Sequence, residues 1–395
     1  MHDQRRIAFQ CIILLGVVSL FGDITYEGAR SITGPYLAVL GASASIVGLV
    51  AGLGEFIGYA FRLVSGYLAD RTERYWLMTI VGYGLLLSIP LLAFAGHWQL
   101  AAVLIISERV GKAVRAPARD AILSHATKQV GRGWGFGIHE ALDQVGAIIG
   151  PLLFCAVFLL KGSYREGFTI LWIPALLTLG ILMVARMRVP SPEQLEVSAG
   201  TTGHLIRVKG KLPPVFWFYA LFSFLSVAGF ANFQLISYHF KVQSVVPDAE
   251  IPIFYAVAMG MDALAALIIG KTYDKIGLIS LITIPSLTLP IPFLAFSHSY
   301  NLAVISVILW GTVMGIHETV MRAAIADLTP IERRGFAYGI FNTAYGMSWF
   351  LGSALMGLLY DFSIGYLILF ALAMEVISVP VFLLMRRMIL FTGRQ

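Results

Sequence analysis

Apolar residues fill this chain in long continuous runs, separated by short polar punctuation. A helix crossing the ~30 Å hydrocarbon core of a bilayer needs about 20 mostly apolar residues. The runs predict twelve such helices, at 7–40, 45–66, 77–96, 99–120, 134–160, 167–187, 214–240, 250–270, 278–297, 302–323, 335–359 and 364–386. The first is long because a polar patch, Asp23, Glu27 and Arg30, interrupts it. It mimics a secretory signal, with Arg5 and Arg6 ahead of an apolar stretch. No small-residue cleavage site follows, so it reads as an uncleaved span. The longest polar stretch, Arg186 to Pro214, contains Pro190, Pro192, Gly200, Gly203, Gly210 and Pro213, all poor helix continuers. It predicts a cytoplasmic linker at 188–213 between a six-helix bundle at 1–187 and another at 214–395. The predicted fold is an all-α membrane protein made of two pseudo-symmetric bundles.

Composition excludes the soluble alternatives. The 395 residues are 58% hydrophobic and only 13% charged, with a mean hydropathy of +0.81. Soluble domains carry about a quarter charged residues, so this chain could not cover its own surface with polar groups. The net charge of +6 raises the question of a nucleic-acid partner, and charge placement answers it. With both termini inside, inner loops and tails hold 19 of the 28 Lys and Arg residues, and outer loops hold only Lys161, Arg165 and Lys241. The inner set runs from Arg5 and Arg6 through Arg207, Lys209 and Lys211 to Arg394. Basic residues are retained on the cytoplasmic side, so the excess reports topology: a multi-pass inner-membrane protein with no nucleic-acid partner. Cys11 and Cys155 lie inside apolar runs and read as packing residues.

The two halves repeat. Gly66-Tyr-Leu-Ala-Asp70-Arg71 follows span 2, and Gly270-Lys-Thr-Tyr-Asp274-Lys275 follows span 8, an offset of 204. Arg132-Gly133 through Gly137 opens span 5, and Arg334-Gly335 through Gly339 opens span 11, an offset of 202. A tandem of six-span halves is typical of secondary transporters. These residues resemble the major facilitator superfamily over essentially the whole chain. Its loop signature, Gly-x-x-x-Asp-Arg-x-Gly-Arg, here ends Asp70-Arg71-Thr72-Glu73-Arg74, with Glu73 in place of the second glycine. The resemblance implies gating roles for Gly66, Asp70, Arg71, Arg74, Gly270 and Asp274. In span 5, Gly146, Gly150 and Pro151 resemble the Gly-x-x-x-Gly-Pro element of drug:proton antiporters, although Phe154-Cys155 stand where that pattern has Gly-Gly. Glycines four apart also let helices pack closely in any membrane protein. Arg109 resembles the span-4 arginine of the same exporters, without its following Gln-Gly.

Charge inside hydrocarbon costs about 2.5–3.5 kcal/mol per residue even on a lenient scale, so embedded ions face a cavity or a partner. Asp23, Glu27 and Arg30 share one helix face at i, i+4, i+7. Glu55, Glu108, Arg109, Arg115, Glu140 and Asp143 are also embedded in the first half, and His317 and Glu318 in the second. The second half has instead an aromatic run from Phe216 to Tyr238. The pattern predicts a polar cavity wall from the first half and a more apolar one from the second. A carboxylate in a low-dielectric cavity can load and release protons, so Asp23 and Glu27, with Asp143 next, are candidates to carry protons or bind cationic groups. Arg109 and Arg115 make an equal case for an anionic substrate. Nothing suggests catalysis, a cofactor or a resident metal. The readings are proton-coupled export of a small organic molecule by alternating access, proton-coupled uptake of a metabolite or metal chelate, or a transporter-like sensor, in each case as a monomer in the bilayer.

Overall fold

The computed structural model describes residues 2–193, 212–329 and 333–392. Most of the expected linker, with Arg207, Lys209 and Lys211, lies outside the described residues, as do Arg394 and the side chains of Arg132 and Arg334. The described chain is almost entirely helical: α1 (His2–Val39), α2 (Ala44–Thr72), α3 (Tyr75–Gly84), α4 (Trp98–Val130), α5 (Arg132–Leu159), α6 (Tyr164–Ile170), α7 (Trp172–Arg188), α8 (Pro214–Gly229), α9 (Phe233–Val242), α10 (Ile251–Ile276), α11 (Thr283–Thr288), α12 (Ile291–Ala295), α13 (Tyr300–Leu328), α14 (Arg334–Phe362) and α15 (Ile364–Thr392). Tight 3₁₀ turns extend α3 at Leu85–Ser88 and Pro90–Phe94 and precede α11 at Gly277–Ile282.

Nine runs among the described residues are long and apolar enough to cross a membrane, fewer than the twelve expected. The difference has structural sources. Residues 251–295 form one unbroken 45-residue run, within which Pro285, Pro290 and Pro292 break the backbone into short pieces. Neither α4, which carries Glu108, Arg109, Lys112, Arg115 and Arg119, nor α14 is among the nine. The expected span at 214–240 is one of the nine runs, Pro214–Val242, and it is built of two helices. Phe230 and Asn232 are extended, and Asn232 restarts the helix by accepting a hydrogen bond from the Leu235 amide at 2.7 Å.

The residues group into two units, one of Met1–Ile32 with Phe61–His204 and one of Thr33–Ala60 with Leu205–Gln395. Both α1 and α2 therefore pass from one unit to the other as continuous helices.

In the first unit, small residues set the helix contacts. Gly82 of α3 lies so close to α4 that a methyl group there would come within 2.7 Å of the Gly111 carbonyl oxygen. The hydroxyl of Ser65 donates to the Ala113 carbonyl at 2.6 Å, tying the end of α2 to α4. Trp76 donates its indole N–H to the Val189 carbonyl at 3.0 Å.

In the second unit, Trp310 of α13 is fully buried and donates to the Ala231 carbonyl, freed by the α8–α9 break, at 2.8 Å. Phe230 stacks on its ring and Phe233 meets it edge-on. The start of α2 is held by Asp361 of α14, which accepts from the Ala44 and Ser45 amides at 3.1 and 2.9 Å and from the Ser45 hydroxyl at 2.5 Å.

Candidate functional site

The first unit concentrates the embedded ions on three facing helix stripes. On α4, Glu108, Lys112, Arg115 and Arg119 recur at helical spacing, so they share one side. On α1 the same period collects Ser19, Asp23 and Glu27, and on α5 it collects His139, Asp143, Gly146 and Gly150.

These stripes build three linked clusters. In the first, Arg115 Nη2 meets Glu108 Oε1 at 2.9 Å, and both side chains are almost wholly buried at 4% and 1% exposure. Arg115 also donates to the Gly82 carbonyl at 3.4 Å and lies 4.8 Å from the centre of the Tyr83 ring. In the second cluster, Tyr26 is the hub. The Lys112 ammonium sits 4.1 Å from its ring centre, the Arg109 guanidinium 4.8 Å and the Arg30 guanidinium 6.0 Å, within cation–π range. Glu27 pairs with Arg30 at 3.6 Å and with Lys112 at 4.0 Å. In the third, the Ser19 hydroxyl donates to Asp143 and accepts from Arg119 Nη1, the latter at 3.1 Å. The Asp23 carboxyl adjoins that of Asp143, and Arg119 also binds Asp120 at 2.9 Å.

Glycines bring α1 and α5 together at this point. A methyl group on Gly150 would lie 2.7 Å from the Gly28 amide nitrogen, and one on Gly146 would lie 3.1 Å from the Asp23 Cβ. Pro151 continues α5 just beyond. Glu140 is exposed on α5.

The remaining candidates fall in the second unit. Glu55 is buried on the part of α2 that belongs there. His317 of α13 is 2% exposed, and neither ring nitrogen has a hydrogen-bond partner among the described residues. Phe230 meets its ring edge-on at 5.2 Å, and Tyr345 lies at 6.4 Å. Beside it a cavity of about 10 Å³, the size of one water, is lined by Tyr59, Glu318, Met321, Phe341, Asn342 and Tyr345. Glu375 accepts from the Ser226 hydroxyl at 3.1 Å. Among the described residues no cluster of three or more His, Cys, Asp or Glu side chains could hold a metal ion.

The loop-signature residues sit at helix ends. Asp70, Arg71, Arg74 and Asp274 are exposed. Gly66 faces Pro117 of α4 at 3.6 Å from an added methyl, and Gly270 faces Thr319 of α13 at 3.7 Å. The repeat thus recurs as the same ordinary helix contact in each unit. Glu73, where the signature has glycine, takes the left-handed conformation that glycine favours, with φ +54°.

Tyr26, Ser19 and Arg119 were not among the sequence candidates. Tyr26 is flanked by Asp23 and Glu27, and an aromatic residue inside a polar patch was the available signal.

The sequence profile of the Major Facilitator Superfamily matches residues 15–319 and 246–389. A Mycobacterium tuberculosis protein, Rv2265, described as uncharacterized, is 43% identical over 374 residues, covering 94% of this chain and 91% of that one. The uncharacterized MFS-type transporter MJ1317 of Methanocaldococcus jannaschii is 27% identical, covering 95% of each chain. Among solved structures, a variant of the nucleoside transporter NupG superposes with a TM-score of 0.76 at 13% identity, covering 95% of this chain and 99% of that one. The peptide transporter POT in complex with sulfate gives 0.75 at 14% identity, covering 98% and 95%. At such identities the likeness is one of fold.

Proposed function

The chain belongs to the major facilitator superfamily, and from that premise we propose that it is a secondary active transporter that exports a small organic molecule in exchange for protons. The observation that carries the proton coupling is the Asp23–Asp143 pair, held by Ser19 and Arg119 inside the first unit. Two adjoining carboxyls form one coupled site that can take up and give back a proton. Arg119 reaches the pair through Ser19, so a shift of α4 against α1 would change the charge that the pair meets. Such a change is what couples protonation to alternating access.

Export is supported by the resemblance of Gly146, Gly150 and Pro151 to the antiporter element. The reading includes twelve spans in two six-helix bundles, as the internal repeat suggests. It also includes a monomer in the cytoplasmic membrane with both termini inside, as the placement of Lys and Arg suggests. Glu27, Arg30, Arg109 and Lys112 around Tyr26 are the proposed substrate contacts.

The test uses proteoliposomes. Ligands are first found by thermal shift on the purified protein, from a panel of dyes, drugs and siderophore-like chelates. Substrate-dependent proton flux is then measured for the wild type and for Asp23→Asn and Asp143→Asn. Loss of pH-driven transport in both variants, with ligand binding retained, supports the reading. Unchanged pH-driven transport refutes it, and movement of substrate in the same direction as protons replaces export with uptake.

A further inference from the structure

A second site lies on the first unit, apart from the ion clusters. It is a cavity of about 360 Å³ lined by Arg5, Arg6, Phe9, Val130 and Trp134, within the size range of small-molecule clefts. The lining among the described residues pairs two permanent cations with two large rings and contains no carboxylate.

Its position follows from the chain. Arg5 and Arg6 stand on the first turns of α1, immediately before the apolar run that opens at Ile7. They therefore mark the end of a span, at the level where headgroups meet hydrocarbon. Phe9 is 43% exposed and Trp134 67% exposed. Aromatic rings concentrate at that interface because one end of the ring is apolar and the other tolerates water. Trp134 is the third residue of α5, which starts immediately after Gly131 in a positive-φ conformation. The amides of a helix's first turn have no intrahelical acceptor and add a partial positive charge to the arginines.

A guanidinium pair beside a helix start selects a phosphate, since arginine forks match its oxygens. The exposed rings on the same rim select something that also carries hydrocarbon. We propose that this cavity binds the headgroup of an anionic phospholipid, with its phosphate on Arg5 and Arg6 and its acyl chains along Phe9 and Trp134. The occupant is a lipid and not a free phosphate, because Phe9, Val130 and Trp134 in the lining have no use for a soluble ion. Anionic headgroups are held in this way by basic pockets between membrane helices. The inference stands whether or not the chain exports anything, because it needs only that the protein sits in a bilayer.

The experiment is native mass spectrometry of the purified full chain in mixed micelles of phosphatidylglycerol and phosphatidylcholine. The wild type should retain phosphatidylglycerol in preference to phosphatidylcholine. Arg5→Gln and Arg6→Gln should each weaken that retention about five-fold. Replacing the exposed Arg386 and Arg387 by Gln serves as a control for diffuse charge and should leave it unchanged. Equal retention of the two lipids overturns the proposal, as does wild-type retention in the Arg5→Gln/Arg6→Gln variant or an equal loss in the control. A thermal-shift arm with inorganic phosphate in place of lipid separates the sources. Stabilisation by phosphate alone, abolished in the double variant, would also overturn the lipid assignment. Circular dichroism of each variant verifies that the helices remain.

Discussion

Replacing Arg115 by Gln should destabilise the protein more than replacing Glu108 by Gln, and replacing both should cost less than the arginine change alone. The reasoning starts from their 2.9 Å contact. At that separation two unit charges attract by about 6 kcal/mol even at an effective dielectric of 20. Most of that attraction offsets the cost of taking both ions out of water, so the pair's net worth is small. Removing one partner is different, because the survivor stays buried and uncompensated, at a cost of about 3–5 kcal/mol. The two survivors are not equivalent. Glu108 alone would keep a carboxylate whose Oε2 already lacks a hydrogen-bond partner among the described residues. Arg115 alone would keep the Gly82 carbonyl and the face of Tyr83. Hence Arg115→Gln should fall near the upper end of that range and Glu108→Gln near or below the lower end. With both replaced, no charge is stranded and two amides occupy the site, so the double variant should lie within about 1–2 kcal/mol of wild type.

Thermal unfolding in detergent, followed by tryptophan fluorescence, gives the four corners of the cycle. Losses in the double variant that equal the sum of the singles to within about 0.5 kcal/mol would refute the coupling. Single variants as stable as wild type would refute the burial cost itself. If the pair serves packing alone, the double variant should also keep transport; loss of transport in a variant of near wild-type stability would assign the pair to substrate or proton binding.

Gly150→Leu should lower both the yield of monodisperse protein and its melting temperature, with a cost of about 1–3 kcal/mol or more. The new side chain would meet the backbone of α1 at Ile24 and Gly28. Gly180→Leu, at a position with open space around it, is the control, and equal behaviour of the two variants would count against close α1–α5 packing. Asp361→Ala should cost about 1 kcal/mol by removing the cap of α2. Asp361→Asn, which still accepts from the Ser45 amide, should recover part of that loss in the same melting assay.

Much of the helical layout was legible because a bilayer allows so few solutions. Backbone polar groups must be satisfied within each segment, so an apolar run of span length is a helix almost by necessity. Thus α1, α2, α5 and α10 begin within a few residues of the expected positions. The break at Phe230–Asn232 was not legible, because hydrophobicity continues across it and one capping asparagine is a weak signal among apolar neighbours. Nor was the passage of α1 and α2 from one unit to the other, since nothing in a continuous helix records which neighbours its two ends choose. The embedded charges were legible as residues but their pairings were not. One arginine near Asp23 and Glu27 could not balance both acids. The second cation for Glu27 is Lys112, which comes from a different helix.

The pairings follow from one physical device on α5. Gly146 and Gly150 carry no side chain toward α1, so the α1 backbone settles against them. Only at that distance can Asp23 adjoin Asp143, because Asp143 stands on the same stripe as Gly146 and Gly150, and a methyl group on Gly146 would lie 3.1 Å from the Asp23 Cβ. The small residues that the sequence offered as packing elements and the carboxylates that it offered as proton carriers are therefore parts of a single construction. If α1 moved away from α5 during transport, the same displacement would separate the two carboxyls and return each to its own charge state. A helix shift and a proton release would then be one event. Under this account a bulky residue at Gly146 should abolish proton coupling even in protein that still folds, whereas a structural ion pair at Asp143 alone would survive it.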